Sequence, residues 1–159
     1  YLIRRIQPFS ANVRKRLVKS PKVYWRDSGL LHSLMGVTNM DALLTQPWVG
    51  VSWEGWVIEQ VLTCLNIQGM DFEAFFLRTS DGFEIDLLLK IQGVIWAVEV
   101  KLSTAPGKAD LERLMKAADL VGAEKKIIVS RTHTEIAGTE AISTNIRGIL
   151  KRLTGLKRS

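Results

Sequence analysis

The sequence predicts an α/β fold in which helices pack against a mixed β-sheet. From residue 51 onward, the segments follow the order helix, strand, strand, strand, helix, strand, helix. Two consecutive strands form a predicted hairpin. The helix after this hairpin provides a crossover, so the last pair of strands can be parallel. We therefore expect an α/β sandwich built on a mixed sheet.

The hairpin is predicted from residues 83–102, FEIDLLLKIQGVIWAVEVKL. The Gln-Gly pair at 92–93 forms its turn, because glycine readily adopts the positive φ that a tight turn needs. A two-residue turn at this place fixes the register and puts Asp86 opposite Glu99. Lys101 lies two residues beyond Glu99 and therefore on the same face of the strand. These three side chains are expected to converge.

Two opposed carboxylates in this hairpin need a compensating group. Leucine and valine residues flank Asp86 and Glu99, so the strands are expected to be largely buried. A buried carboxylate pair requires a cation, a proton or a strong hydrogen-bond donor. Mg²⁺ would meet this need because it prefers carboxylate oxygens, and Lys101 would neutralise part of the charge. The alternative is a structural Lys–Glu arrangement at the end of a strand.

The strongest predicted helix spans residues 51–67, with Ser52 as its N-cap. At about 100° per residue, Glu54 falls on a narrow stripe of otherwise apolar side chains. Glu59 points well away from this stripe and is expected to be solvated. Glu54 is therefore a candidate site residue. The alternative is that Glu54 is simply an acid placed favourably in the first helical turn.

The other elements are shorter. Strands are predicted over residues 1–6, 22–25, 72–78 and 126–130. Helices are predicted over residues 29–35, 41–45, 108–121 and 142–153, while residues 12–18 are expected to form either a helix or a basic loop. We expect a small basic N-terminal segment, residues 1–48, followed by the main domain, residues 49–159.

The amino-acid composition indicates an ordinary globular protein. The chain has 159 residues, of which 47% are hydrophobic and 24% charged, as in ordinary globular proteins. Its single cysteine, Cys64, cannot form an internal disulfide, which fits a reducing compartment. No apolar run approaches the roughly 20 residues needed to span a membrane, and no signal-peptide pattern is present. We therefore expect a cytoplasmic protein without a membrane partner.

The net charge of +6 is unevenly distributed, since every charged residue before Asp27 is basic. Such a cluster suits the phosphate backbone of nucleic acid. The alternative is a solvated face, or a surface that meets an acidic partner domain. The candidate nucleic-acid-binding residues are Arg14, Lys15, Arg16 and Lys19.

A family resemblance rests on three separated pieces of sequence. These are Glu54, the run Gly-Phe-Glu-Ile-Asp that ends at Asp86, and the run Val-Glu-Val-Lys that ends at Lys101. This pattern resembles the PD-(D/E)xK nuclease superfamily, which has the restriction-endonuclease-like fold. Ile85 stands where the superfamily pattern has proline, a departure that many members also carry.

A more specific resemblance covers most of the chain. The blocks SPKVYWRDSGLLHSLMG, SWEGWVIEQVL and VEVKLSTAPGKADLERL resemble domains of unknown function 4143, which are attached to the C-terminal side of bacterial and archaeal AAA-type ATPases. Residues 1–7 resemble the end of a winged-helix segment that precedes such domains. This chain has no Walker motif, so the resemblance implies an ATPase domain elsewhere in the full-length protein.

The resemblance implies roles for four residues. Asp86 and Glu99 would be ligands of Mg²⁺, or alternatively of Mn²⁺. Glu54 would be a further ligand or would hold a water molecule. Lys101 would orient the attacking water or help to deprotonate it, and would stabilise the charge that develops on phosphate.

Two classes of function stay open at this point. The first is a metal-dependent nuclease that hydrolyses DNA phosphodiesters as part of an AAA-type ATPase protein. The second is a non-catalytic module on the same fold that binds DNA or a partner domain, because folds are reused for unrelated functions. An oligomer is compatible with either class.

Overall fold

The computed structural model describes residues 2–9 and 20–156. Its strands are β1 (Ile3–Pro8), β2 (Lys22–Trp25), β3 (Phe72–Arg78), β4 (Glu84–Ile91), β5 (Val94–Val100), β6 (Lys125–Val129), β7 (Ile136–Ala137) and β8 (Ile142–Thr144). Its helices are α1 (Ser28–Leu34), α2 (Met40–Leu44), α3 (Val49–Ile67), α4 (Lys108–Asp119) and α5 (Ile146–Thr154). The strands form one mixed sheet in the order β2-β1-β3-β4-β5-β6-β8-β7, which confirms the predicted α/β class.

Helices cover both faces of the sheet. One core cluster joins α3 and α5 to inward-facing residues of the central strands, and these residues include Val98. A second cluster joins α4 to the opposite face, where Ala97 lies. Because neighbouring residues of a strand point to opposite faces, β5 contributes to both clusters. Its sequence is accordingly apolar almost throughout.

The central hairpin has the predicted turn and register. Ile91 pairs with Val94, and Lys90 pairs with Ile95. The Gln-Gly pair at 92–93 has φ values of 51° and 81°. β5 and β6 run parallel, as expected from the crossover through α4.

The structure corrects the predicted start of α3. This helix begins at Val49 with Trp48 at the N-cap position, and no side chain in the described ranges caps it. Ser52 is therefore inside the first turns, and its hydroxyl lies 2.8 Å from His32 Nε2. The Ser52 hydroxyl, which was predicted to cap the helix, instead forms a tertiary contact with His32.

The structure also divides the last predicted helix. Residues Ile142–Thr144 form β8, which pairs with β6 in parallel. Asn145 then caps α5, with its Oδ1 accepting a hydrogen bond from Gly148 N at 3.1 Å. The capping residue inside the predicted helix marks the true boundary, because asparagine is strongly preferred at N-cap positions.

The two N-terminal strands belong to the same sheet as the central hairpin. β1 and β2 form an antiparallel pair. β1 then runs parallel to β3, with Gln7 opposite Phe75. The predicted helix or loop at residues 12–18 lies outside the described residues. Among the described helices, none is long and apolar enough to cross a membrane.

Candidate active site

Asp86 and Glu99 lie at the end of the central hairpin that is remote from its turn. The register pairs Leu87 with Val98, so its continuation by one residue places Asp86 opposite Glu99. Asp86 Oδ2 accepts a hydrogen bond from the backbone N–H of Val100 at 3.0 Å. The Asp86 side chain is only 8% exposed. The hairpin geometry therefore holds this carboxylate in a fixed, buried position.

Lys101 completes this group. Its Nζ lies 2.8 Å from Glu99 Oε1 and 3.9 Å from Asp110 Oδ1 of α4. Burial lowers the pKa of Lys101, but its hydrogen bond and attraction to Glu99 outweigh burial and raise that pKa above its ordinary value. Lys101 therefore stays protonated and retains its positive charge beside the carboxylates.

Glu99 lies between Asp86 and Lys101 and is also largely buried. Burial and repulsion by Asp86 raise the pKa of Glu99 to about 7, although the hydrogen bond from Lys101 opposes the rise. Glu99 Oε2 is buried, and none of the described residues forms a hydrogen bond with it. A buried acceptor without a partner costs free energy, so this oxygen is suited to take a proton or a cation.

Glu54 approaches the site from α3. Its Oε1 accepts hydrogen bonds from Lys22 Nζ, at 2.8 Å, and from the Tyr24 hydroxyl. Burial and repulsion by Asp86 raise the pKa of Glu54, and the contacts with Lys22 and Tyr24 partly offset this rise. The structure thus places Glu54 near Asp86, as the sequence suggests, but joins the two through a residue that the sequence analysis did not identify.

That residue is Lys22. Its Nζ lies 2.8 Å from Glu54 Oε1, 2.7 Å from Glu84 Oε1 and 3.0 Å from Asp86 Oδ1. The ammonium group also lies 5.6 Å from the ring centroid of Phe76. Burial lowers the pKa of Lys22, but attraction by Asp86 and Glu54 outweighs it and raises that pKa. Lys22 is thus a half-buried, permanently charged cation inside the acidic cluster.

Two signals in the sequence could have identified Lys22. It is two residues from Tyr24 in a four-residue strand, so both side chains share the face that Tyr24 buries. In addition, the predicted site contained several acids and only Lys101 as a counter-ion, so a second cation was to be expected. No local motif reveals Lys22, because it reaches the acids only when β2 packs against α3.

Glu84 and Arg78 form the rim of the cluster. Arg78 Nη2 lies 2.6 Å from Glu84 Oε1, which also contacts Lys22. Burial raises the pKa of Glu84, but the hydrogen bonds from Arg78 and Lys22 prevail and lower it below its ordinary value. The arrangement therefore contains more acids than the motif alone implies.

The prediction that Glu59 is solvated was wrong. This residue of α3 is only 7% exposed. Arg4 Nε lies 2.9 Å from Glu59 Oε2, and Arg26 Nη2 lies 2.8 Å from Glu59 Oε1. Burial raises the pKa of Glu59, but these hydrogen bonds outweigh burial and lower it. Glu59 therefore connects β1 and β2 to α3 through Arg4 and Arg26. The packing of β2 against α3 also brings Lys22 close to the acidic cluster.

The acidic cluster has the donor chemistry of a Mg²⁺ or Mn²⁺ site, since hard divalent cations prefer carboxylate oxygens. The unpartnered Glu99 Oε2, buried beside Asp86, fits such a cation. Among the described residues, however, no group of three or more acidic, histidine or cysteine side chains is gathered to hold a metal as it stands. Glu54 and Asp86, the other two proposed ligands, already accept hydrogen bonds from Lys22.

The predicted nucleic-acid-binding residues are four basic side chains. Arg14, Lys15, Arg16 and Lys19 lie in residues 10–19, outside the described ranges. The sequence alone places them in the segment between β1 and β2.

The fold and the site define an α/β domain with a cluster of acids and lysines at the open end of its central hairpin. The chain belongs to the family described as domain of unknown function (DUF4143), whose model matches residues 49–147. Domains of this family are typically linked to an ATPase domain in the same protein. Residues 1–41 match a second family, also described as a domain of unknown function (DUF8612).

Two mycobacterial proteins are similar to this chain. They are Uncharacterized protein Mb2031c of Mycobacterium bovis and Uncharacterized protein Rv2008c of Mycobacterium tuberculosis. Each is 35% identical over 134 residues, which cover 83% of this chain. The match spans only 29% of the length of either relative.

Proposed function

We propose that this chain is a metal-dependent phosphodiesterase domain of the PD-(D/E)xK type that acts on DNA. The observation that carries the proposal is the junction of Asp86, Glu99 and Lys101, where a buried carboxylate oxygen of Glu99 has no hydrogen-bond partner within the described part of the chain. Hydrolysis of a phosphodiester requires an activated water and stabilisation of added negative charge. An acidic pair beside a protonated lysine is suited to both requirements.

Each residue has a definite task in this proposal. Asp86 and Glu99 hold the divalent cation, and Glu54 supplies a further oxygen or orients a water molecule. The cation, when bound, supplies Lewis acidity that lowers the pKa of a water molecule and offsets charge on phosphate. Lys101 orients the attacking water and stabilises the developing negative charge through its ammonium group.

We also propose that the domain works as part of an AAA-type ATPase protein. The match covers 29% of each mycobacterial relative, so most of those proteins lies outside it. The family matches at residues 1–41 and 49–147 support a boundary close to residue 48. In this proposal residues 49–159 form the restriction-endonuclease-like unit, while Arg14, Lys15, Arg16 and Lys19 of the basic segment contact DNA.

A second candidate function is a non-catalytic module that binds DNA or a partner domain. The observation that favours it is the position of Lys22, which already neutralises part of the acidic cluster. A lysine that permanently occupies the position of the metal would preserve the fold, but the site would have no metal-dependent hydrolytic activity.

Calorimetric titration with Mg²⁺ and Mn²⁺ tests the proposal, together with cleavage assays on single-stranded and duplex DNA. The variants are Asp86→Asn and Glu99→Gln, and the control is Glu73→Gln, which changes a carboxylate that is 57% exposed. Metal binding and cleavage that both disappear in the two site variants would support the nuclease. Metal binding without cleavage would favour the second candidate. Absence of metal binding both in the parent chain and in a Lys22→Met variant would refute the metal site.

A further inference from the structure

The carboxylate oxygens around Lys22 are the same kind of ligand that a divalent cation requires. Lys22 Nζ contacts Glu54, Glu84 and Asp86 at distances between 2.7 and 3.0 Å. The Lys22 side chain is only 12% exposed, so water does little to replace these contacts. Two of these contacts are hydrogen bonds, to Glu54 and Asp86, and the third is an ion pair with Glu84.

Each oxygen of the Asp86 carboxylate already accepts one hydrogen bond while Lys22 is in place. Its Oδ1 accepts from Lys22 and its Oδ2 accepts from the backbone of Val100. Mg²⁺ binds oxygen at about 2.1 Å and tolerates little distortion of its geometry. A metal ion at Asp86 Oδ1 would therefore compete with the Lys22 ammonium for the same oxygen.

We infer that Lys22 is the resident cation of this site, and that a divalent metal binds there by displacing the Lys22 ammonium from Asp86 and Glu54. The inference rests on the proposed metal site. It makes Lys22 a residue that sets metal affinity, distinct from Lys101, which stays paired with Glu99. Metal loading then requires the Lys22 side chain at the end of β2 to withdraw.

Calorimetry with Mg²⁺ on the parent chain, Lys22→Met and Lys22→Arg tests this inference. Lys22→Met is expected to bind Mg²⁺ at least about tenfold more tightly than the parent, because a positive charge next to the ligands is removed. Lys22→Arg keeps the charge and is expected to bind no more tightly than the parent. Lys90→Met, a change at a lysine that is 50% exposed, is the control and is expected to leave the affinity unchanged.

The outcomes separate this inference from the proposed function. Equal Mg²⁺ affinity in the parent and in Lys22→Met would overturn the resident-cation role and leave the metal site standing. Absence of binding in every variant would overturn both. Thermal unfolding adds a readout that needs no activity, since Lys22→Met should be less stable than the parent in chelator and should recover with Mg²⁺.

A second measurement needs no substitution at Lys22. Nuclear magnetic resonance of ¹⁵N-labelled lysine side chains detects ammonium groups whose hydrogens exchange slowly with water. The Lys22 signal is expected to be visible in chelator, because three carboxylates and burial protect the group. Saturation with Mg²⁺ is expected to remove that protection. A Lys22 signal that is unchanged by saturating Mg²⁺ would overturn the inference.

Discussion

Gly55 of α3 lies directly against the ring of Tyr24. A Cβ at Gly55 would come within 3.0 Å of Tyr24 Cδ1 and 3.1 Å of Tyr24 Cβ. The missing side chain is therefore what allows β2 to approach the helix closely. Because Tyr24 and Lys22 share this strand, the same close approach brings the Lys22 ammonium to the acidic cluster.

We expect Gly55→Ala to destabilise the protein although alanine is the better helix former. The gain in helix propensity is about 1 kcal/mol, while crowding against a packed ring costs about 1–3 kcal/mol. The expected net loss in the free energy of unfolding is about 1 kcal/mol, measured by urea denaturation.

Gly50→Ala is the matched control for this substitution. Gly50 also lies in α3, but a Cβ there would meet no atom of the described residues within 4 Å. The control is expected to leave stability unchanged or to raise it by up to about 1 kcal/mol. If both alanine variants were equally stable, the contact with Tyr24 would not be what requires glycine at residue 55.

The sequence was sufficient to predict the central hairpin because its information is local. A two-residue turn with glycine fixes the register, and strand periodicity then places Asp86, Glu99 and Lys101 together. The structure has this turn and the predicted partners Ile91 and Val94. The position of Glu54 on an otherwise apolar stripe of α3 likewise predicted it as a candidate site residue.

The roles of Lys22 and Glu59 could not be predicted in the same way. Both depend on how the β1–β2 pair packs against α3, which is a long-range contact with no local period. Glu59 looked solvated because it lies off the apolar stripe, yet Arg4 and Arg26 enclose it. A helical wheel considers α3 alone. The packing of β1 and β2 against α3 buries a second face of that helix, which the wheel does not show.

We expect Glu59→Gln to weaken the attachment of the N-terminal strands. The amide would leave Arg4 and Arg26 without their shared carboxylate, at a cost of about 2 kcal/mol, reduced because both arginines are partly exposed. The lowered pKa of Glu59 means that the carboxylate stabilises the fold above its unfolded-state pKa of 4.5. This contribution is lost as pH falls through the folded-state value.

Urea denaturation of the parent and of Glu59→Gln at several pH values measures this effect. The difference in free energy of unfolding is expected to be largest near neutral pH and to shrink at acidic pH. Glu73→Gln is the control, since Glu73 forms an exposed pair with Lys90. A difference that persists unchanged in acid would mean that Glu59 stabilises the fold by packing and not by charge.

The raised pKa of Glu99 predicts the opposite dependence on pH. Its folded-state pKa is about 7, against 4.5 for an ordinary glutamate, so the folded protein binds more protons between these values. The free energy of unfolding contributed by Glu99 therefore falls as pH rises through this window, by on the order of 2 kcal/mol. Glu99→Gln cannot titrate, so its stability relative to the parent should increase from pH 5 to pH 8.

Addition of Mg²⁺ tests whether Glu99 is a metal ligand or only a buried acid. Cation binding requires the ionised form of Glu99, so Mg²⁺ should stabilise the parent more at pH 8 than at pH 5. It should do little for Glu99→Gln at either pH. Thermal unfolding of both proteins with Mg²⁺ or chelator measures this difference. Equal stabilisation of the two proteins would show that the cation binds elsewhere, because the variant lacks the unpartnered oxygen that makes Glu99 suited to hold it.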